Sequence, residues 1–253
     1  MSRSAPADAF GRAAQEYELG RPGWPAELLD RIAAELPLRP TAHVLDLGAG
    51  TGKLTRLLVP RFARVIAVEP DEAMQALVEE LVPEAAVVGG VADAIPIADD
   101  SVDCVFCAEA FHWFASRPVL DELARVLRPR GAVVLLWNVP TREVEPIVPP
   151  AADRLIEEAI ERGGEPGLPR VLAGAWREPF AGAPFEELRE HHAEREISLS
   201  RDELIAYILS ISSIAAQPDG TRVELAARLR ELVPDVEYTR FLRTDAYWTR
   251  LTG

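Results

Sequence analysis

The stretch His43-Val-Leu-Asp-Leu-Gly-Ala-Gly-Thr-Gly-Lys53 decides the fold. Val44 to Leu47 is an apolar strand that runs straight into Gly48, Gly50 and Gly52, and Lys53 to Leu58 is helix-compatible, so the segment reads as strand, tight turn and helix start. Glycine accepts positive φ and lets a ligand approach the backbone without meeting a Cβ. The amides of such a turn and of the helix start form an electropositive rim for an acceptor group. Spacing must then say what is bound. The dinucleotide fingerprint G-x-G-x-x-G/A would put its third small residue at position 53, where this chain has Lys53; the third glycine comes one residue early, and the acid Asp46 precedes the turn.

Away from that turn, composition sets bounds. At 253 residues and 48% hydrophobic content the chain can bury the core of one large domain, and a second independent domain is not expected. Its 27 basic residues against 41 acidic ones give a net charge of −14, and Lys53 is the only lysine. Such a surface repels phosphate backbones, so no nucleic-acid partner is expected. Cys104 and Cys107 cannot supply a disulfide framework, and no second cysteine or histidine pair has zinc-ligand spacing. Ser101 to Ala108 reads as a buried strand rather than a helix start, which makes both thiols core residues and not a redox pair. Met1 to Asp8 has neither a basic nor an apolar leader pattern, and no apolar run reaches the roughly 18 residues of a membrane span. A soluble, cytoplasmic protein without a membrane partner is expected.

From Thr41 to Asn138 the chain alternates strand and helix. Strands are expected at Val44–Leu47, Arg64–Glu69, Ala85–Val88, Val102–Cys107 and Ala132–Asn138, and helices at Lys53–Val59, Asp71–Leu81 and Pro118–Leu127. That alternation implies right-handed βαβ units and a doubly wound parallel sheet, an α/β fold. Ahead of it, Ala9–Glu18 can form a short helix, Gly20 to Pro25 breaks it, and Ala26–Leu36 is amphipathic. Tyr17, Arg21 and Trp24 surround the break, either as a surface anchor or as a flap over a ligand.

Ligands on such sheets bind beyond the carboxyl ends of the strands, so chemistry is sought there. Glu69 ends the second strand, at the usual interval for an acid that accepts hydrogen bonds from both ribose hydroxyls; its rival role is to cap the following helix. Gly89 to Pro96 is a loop able to pass under an adenine ring, with Ala92 and Asp93 at its edge. His112 is the only histidine placed at the expected cleft rim, a candidate general base whose alternative is packing between Phe111 and Trp113.

Val44 to Gly52, Val68-Glu-Pro70, Ala92 to Pro96, Ala110-Phe-His-Trp-Phe114, Leu123 to Pro129 and Leu136-Trp-Asn138 together resemble the type 11 family of class I S-adenosylmethionine-dependent methyltransferases, and its trans-aconitate-methyltransferase-like branch in particular. The resemblance covers about half of the chain, in family order. It implies a Rossmann-like, seven-stranded, mostly parallel sheet with a last antiparallel strand and a helical cap over the cleft. It implies one domain over 1–253: a helical flap to residue 40, a cofactor core over 41–138, and cap helices with the last two strands over 139–253. It further implies that Gly48, Ala49, Gly50 and Gly52 approach the amino-acid part of S-adenosylmethionine, that Glu69, Pro70 and Met74 lie at its ribose, Ala92 and Asp93 at its adenine, and Glu109 and Ala110 at its methionyl end. Tyr17 and Arg21 would be cofactor neighbours, and no metal is expected.

Val91 and Glu109 depart from residues common in the branch, and Ile211 stands where it often has a basic residue. In the C-terminal part helices are expected at Ala151–Arg162, Arg201–Ser212 and Thr221–Leu232, strands at Phe185–Ile197 and Val236–Thr249, and a loop over Gly163–Pro169. The expected function is methyl transfer to a small-molecule acceptor, an oxygen of hydroxyl or carboxylate type. Carbon methylation of a quinone-like ring, a nicotinamide oxidoreductase and a non-catalytic cofactor-binding module are the rivals.

Overall fold

Five largely apolar runs build the parallel part of the sheet, and those inside its edge are near-continuous, as strands covered on both faces require. In the computed structural model, which describes residues 13–141, 148–164 and 167–252, these are β1 (His43–Leu47), β2 (Arg64–Glu69), β3 (Ala86–Gly89), β4 (Val102–Ala108) and β5 (Leu127–Pro140). With β6 (Arg189–Leu199) and β7 (Tyr238–Arg250) they form one seven-stranded sheet in the order β3-β2-β1-β4-β5-β7-β6. β1 pairs in parallel with both β2 and β4, which sets Asp46 beside Ala67 on one side and Phe106 on the other. The chain goes from β1 outward to β3 and returns to β4, so strand order reverses at β1, where the glycine turn leaves the sheet. The bonds Leu251 N–H to Gly131 O (2.8 Å) and Thr141 N–H to Phe241 O (3.2 Å) make β7 antiparallel to β5.

The helices are α1 (Ala14–Gly20), α2 (Ala26–Glu35), α3 (Thr55–Leu58), α4 (Glu72–Leu81), α5 (Arg117–Val126), α6 (Pro150–Gly163), α7 (Gly167–Ala173), α8 (Arg201–Leu209), α9 (Ser212–Ala215) and α10 (Asp219–Leu232), with 3₁₀ turns at Phe111–Trp113 and Ala175–Phe180. Two compact units result. The larger takes 23–138, 170–193 and 244–252; the smaller takes the described parts of 13–22, 139–169 and 194–243. In the larger unit α2 lays Leu28, Leu29 and Ile32 against Val44, Phe106, Val134, Leu136 and Trp248. Elsewhere in it Trp176 packs on Trp137 (centroids 4.6 Å apart) and on Tyr247 (4.9 Å). The smaller unit closes around Ile205, Leu209, Ile214 and Leu229, so the apolar face of α8 is core. There Gly163 lies so close to Ser213 that a Cβ would sit 1.6 Å from its carbonyl oxygen.

Among the elements whose bounds differ from expectation, β6 starts at Arg189 rather than Phe185 and α3 spans only Thr55–Leu58, and three further differences bear on the fold. β5 starts at Leu127, five residues before the expected Ala132, because Leu127 pairs with Val102 across a register shift and Arg128 bonds Asp103 of β4 at 2.7 Å. The helix expected over Arg201–Ser212 stops at Leu209: the fully buried Ser210 donates its hydroxyl to Tyr207 O (2.7 Å), and extended Ile211 restarts the chain as α9. Gly167 to Pro169, expected in a loop, open α7. The start of the expected Ala9–Glu18 helix lies outside the described residues; its second half belongs to α1.

Candidate active site

At the switch point all three glycines of the turn take positive φ, +69° at Gly48, +58° at Gly50 and +81° at Gly52. At Gly48 a Cβ would also meet the Ala110 methyl at 2.8 Å, and at Gly52 it would press on Val78 and Val82 at 3.2 Å. The turn is stitched to the end of β2. Gly48 N–H and Ala49 N–H donate to Val68 O (2.8 and 3.2 Å), and Gly50 N–H donates to Glu69 Oε2 at 2.9 Å. Asp71 N–H takes the other oxygen, Oε1, at 3.1 Å.

These bonds settle the rival role of Glu69. Asp71 caps α4, accepting from Ala73 N–H and Met74 N–H at 2.9 and 3.0 Å, so Glu69 is not the cap. Each Glu69 oxygen holds one backbone amide, and a carboxylate oxygen can accept about two hydrogen bonds, so acceptor capacity remains on both. Burial raises Glu69 from an ordinary 4.5 to about 7, against the lowering effect of the Gly50 and Asp71 amides. Gln75, which sequence reasoning missed, donates to Glu69 O at 2.8 Å and fixes the strand end.

Asp46 lies beneath the turn, 1% exposed. Its Oδ2 accepts from Thr55 Oγ1 at 2.7 Å while its Oδ1 has no hydrogen-bond partner. Burial lifts it from 3.8 to about 6. Thr55 was also missed; its signal is the hydroxyl one helical turn past the glycines, where an apolar residue would otherwise face the core.

The remaining expected residues fall as follows. Met74 is 2% exposed and Ala92 8%, while Pro70 and Asp93 are exposed. Val91 and Ala94 bridge a tight turn that carries Ala92 and Asp93 at its tip. Glu109 is a non-glycine residue at φ +55°, directly after β4. Its amide donates to Leu136 O (2.9 Å) and its Oε1 accepts from Asn138 N–H (2.8 Å), which ties the ends of β4 and β5 together. Thr244 Oγ1 extends this tie to Asn138 Oδ1 at 2.7 Å, a link no sequence pattern marked. Pro37, Asp100 and Arg130 are the other non-glycine residues at positive φ among the described residues.

His112 is held by the end of β5. The indole N–H of Trp137 donates to its Nδ1 at 3.0 Å. An indole nitrogen can only donate, so Nδ1 carries a lone pair and the ring proton of the neutral form is on Nε2, an atom shut off from solvent. In that neutral form the one ring lone pair faces the Trp137 indole, in keeping with the alternative of His112 as a packing residue beside Phe111 and Trp113. Tyr17 and Arg21 belong to the smaller unit. Arg21 Nε and Nη2 donate to Ser210 Oγ and Ser210 O, both at 2.9 Å. Among the described residues no group of acids, histidines and cysteines is arranged to hold a metal ion, and no helix is long and apolar enough to cross a membrane.

Residues 45–135, the segment from β1 through most of β5, match the methyltransferase domain family. An uncharacterized methyltransferase of Mycobacterium tuberculosis (strain ATCC 25618 / H37Rv) is 35% identical over 225 residues, covering 89% of this chain and 85% of that protein. A malonyl-[acyl-carrier protein] O-methyltransferase of Methylococcus capsulatus is 42% identical over 98 residues, 36% of each chain. A structure solved as a type II methyltransferase of Anaeromyxobacter dehalogenans superposes with a TM-score of 0.65 at 26% identity, covering 92% of this chain and 99% of that one. With the reversed strand order and its glycine turn, these likenesses make the chain a member of the class I methyltransferase family, an S-adenosylmethionine-dependent enzyme.

Proposed function

We propose that this enzyme methylates a carboxylate oxygen of a small molecule. The observation that carries this reading is the Trp137–His112 bond, which occupies the one histidine beside the glycine turn that could have served as base. A hydroxyl acceptor must lose a proton as it is methylated, whereas a carboxylate is already a nucleophile and needs no base. The relative from Methylococcus capsulatus is named for O-methylation of a malonyl group, which is consistent with a carboxylate acceptor.

The larger unit fits the cofactor. The cradle at Gly48 and Gly52 has no room for side chains, and Gly50 offers a backbone turned to β2. Glu69 would accept the ribose hydroxyls, with Met74 and Pro70 beside them. Ala92 and Asp93 would meet the adenine, and Ala49, Gly50, Glu109 and Ala110 the amino-acid end. Asp46, with its unpartnered Oδ1, would attract the cationic amino group of that end. When bound, S-adenosylmethionine supplies an electrophilic methyl group. The chain's own contribution is orientation: rigid strand ends hold the reacting groups in line, and pre-paid ordering of this kind can supply about 7 to 11 kcal/mol of rate.

The test is to incubate the protein with S-adenosylmethionine and a panel of carboxylic acids and alcohols and to read products by mass. Methyl esters are expected, and His112→Asn should form them at a rate within about tenfold of the parent, since losing a true base costs about 10² to 10⁴. Products that are only ethers, made by the parent and lost in His112→Asn, would overturn the reading.

A further inference from the structure

The smaller unit carries two guanidinium groups on one aromatic ring. Arg21 lies 5.1 Å from the centre of the Tyr207 ring and Arg240 lies 4.3 Å from it. Neither has a carboxylate partner among the described residues, in a chain with 41 acids for 27 bases. Of the two acids on α1, Glu16 is taken by Arg222 at 2.9 Å. Two like charges within about 10 Å of each other are inside one Debye length and repel. One ring offsets that only in part.

The arrangement is built rather than incidental. Arg21 is held by Nε and Nη2 on the hydroxyl and carbonyl of Ser210, a residue with no exposed surface, and its guanidinium also rests 5.5 Å from the Tyr17 ring. Ser210 is fixed in turn by its bond to Tyr207 O. α1 reaches α8 only because residue 20 is glycine: a Cβ there would stand 2.0 Å from Tyr207 N. With its Nε side committed, Arg21 has left the edge formed by Nη1 and the outer hydrogen of Nη2. Two parallel N–H groups of that kind match the two oxygens of a planar carboxylate.

We propose that Arg21 and Arg240 form a binding site in the smaller unit for a small molecule bearing carboxylates, with Arg21 as the planar fork and Arg240 as the second positive charge. Ser210 and the two tyrosines are positioning residues that hold the fork rigid. The site accounts for two cations that have no carboxylate partner among the described residues of a strongly acidic protein, and its test needs no S-adenosylmethionine.

The experiment is calorimetric titration of the full chain, without S-adenosylmethionine, with succinate and separately with inorganic phosphate. Succinate should bind saturably at about millimolar concentrations. Arg240→Gln should weaken it about tenfold while leaving the thermal midpoint unchanged, since Arg240 makes no hydrogen bond among the described residues, and Arg21→Lys should weaken it further by losing the fork. Unsaturable heats, equal affinity in Arg240→Gln, or phosphate binding tighter than succinate would each overturn the proposal. None of these results bears on whether the enzyme makes methyl esters.

Discussion

The amide of Gly50 donates to the carboxylate of Glu69 at 2.9 Å, so the glycine turn and the acid at the end of the next strand are one device. The bond orients Glu69 without help from a second side chain. It also couples the rim of the glycine turn to a buried, titratable carboxyl.

That charge makes stability depend on pH. Glu69 holds its proton more tightly in the folded chain, at about 7 against an ordinary 4.5, because it is buried. The resulting stabilisation is fully present below the unfolded value and is lost as pH rises through about 7, an effect on the order of 3 kcal/mol. Asp46, raised to about 6 by burial, acts in the same direction from its ordinary 3.8 upward. The thermal midpoint of the cofactor-free protein should therefore fall between pH 5 and pH 8, and Glu69→Gln should flatten much of that slope, as a pH series of melting curves would read.

Gly48→Ala places a side chain at φ +69° and 2.8 Å from the Ala110 methyl. The left-handed backbone alone costs about 1 to 2 kcal/mol, and the contact forces the first 3₁₀ turn away from the glycine turn. Denaturant unfolding should register a loss of at least that size. An unchanged midpoint would mean that Ala110 yields freely.

Gly20→Ala acts on the smaller unit. Its Cβ would overlap the backbone of α8 at Tyr207, so α1 must lift away, at a cost of about 1 to 3 kcal/mol from overpacking. Limited proteolysis should then cut near Tyr17 or Arg21 in the variant and spare the parent. Equal resistance of both chains would contradict the packing described.

Thr55→Val removes the hydroxyl on Asp46 Oδ2 and leaves an acid that is 1% exposed without that partner. Stranding a buried acceptor costs about 1 to 3 kcal/mol. The double variant Asp46→Leu with Thr55→Val should recover part of the stability lost, because it removes both polar groups together. A double variant less stable than Thr55→Val alone would argue that Asp46 has a further partner.

Much of this was legible from the sequence. β2 was expected at the bounds it takes, Arg64–Glu69, because an unbroken apolar run ending in Glu-Pro has one reading. The glycine turn and Glu69 were legible because positive φ restricts residue choice and the interval between them is fixed by one βαβ turn. The bond between Trp137 and His112 was not, since a hydrogen bond between residues 25 apart depends on how the end of β5 meets the 3₁₀ turn at Phe111–Trp113. The first residues of β5 hid behind Arg128-Pro-Arg-Gly131, a sequence that reads as a turn and is kept in the strand by Asp103. The Arg21–Ser210 anchor spans 189 residues and leaves no local trace.

The most direct test of the central claim is calorimetric titration with S-adenosylmethionine and S-adenosylhomocysteine, on the parent and on Glu69→Ala, at pH 6 and pH 8. Both ligands should bind the parent at micromolar concentrations, more tightly at pH 8, where Glu69 is ionised, and Glu69→Ala should lose about 1 to 3 kcal/mol and most of the pH dependence. Folded parent protein that binds neither ligand, or a variant that binds as tightly as the parent, would contradict the account.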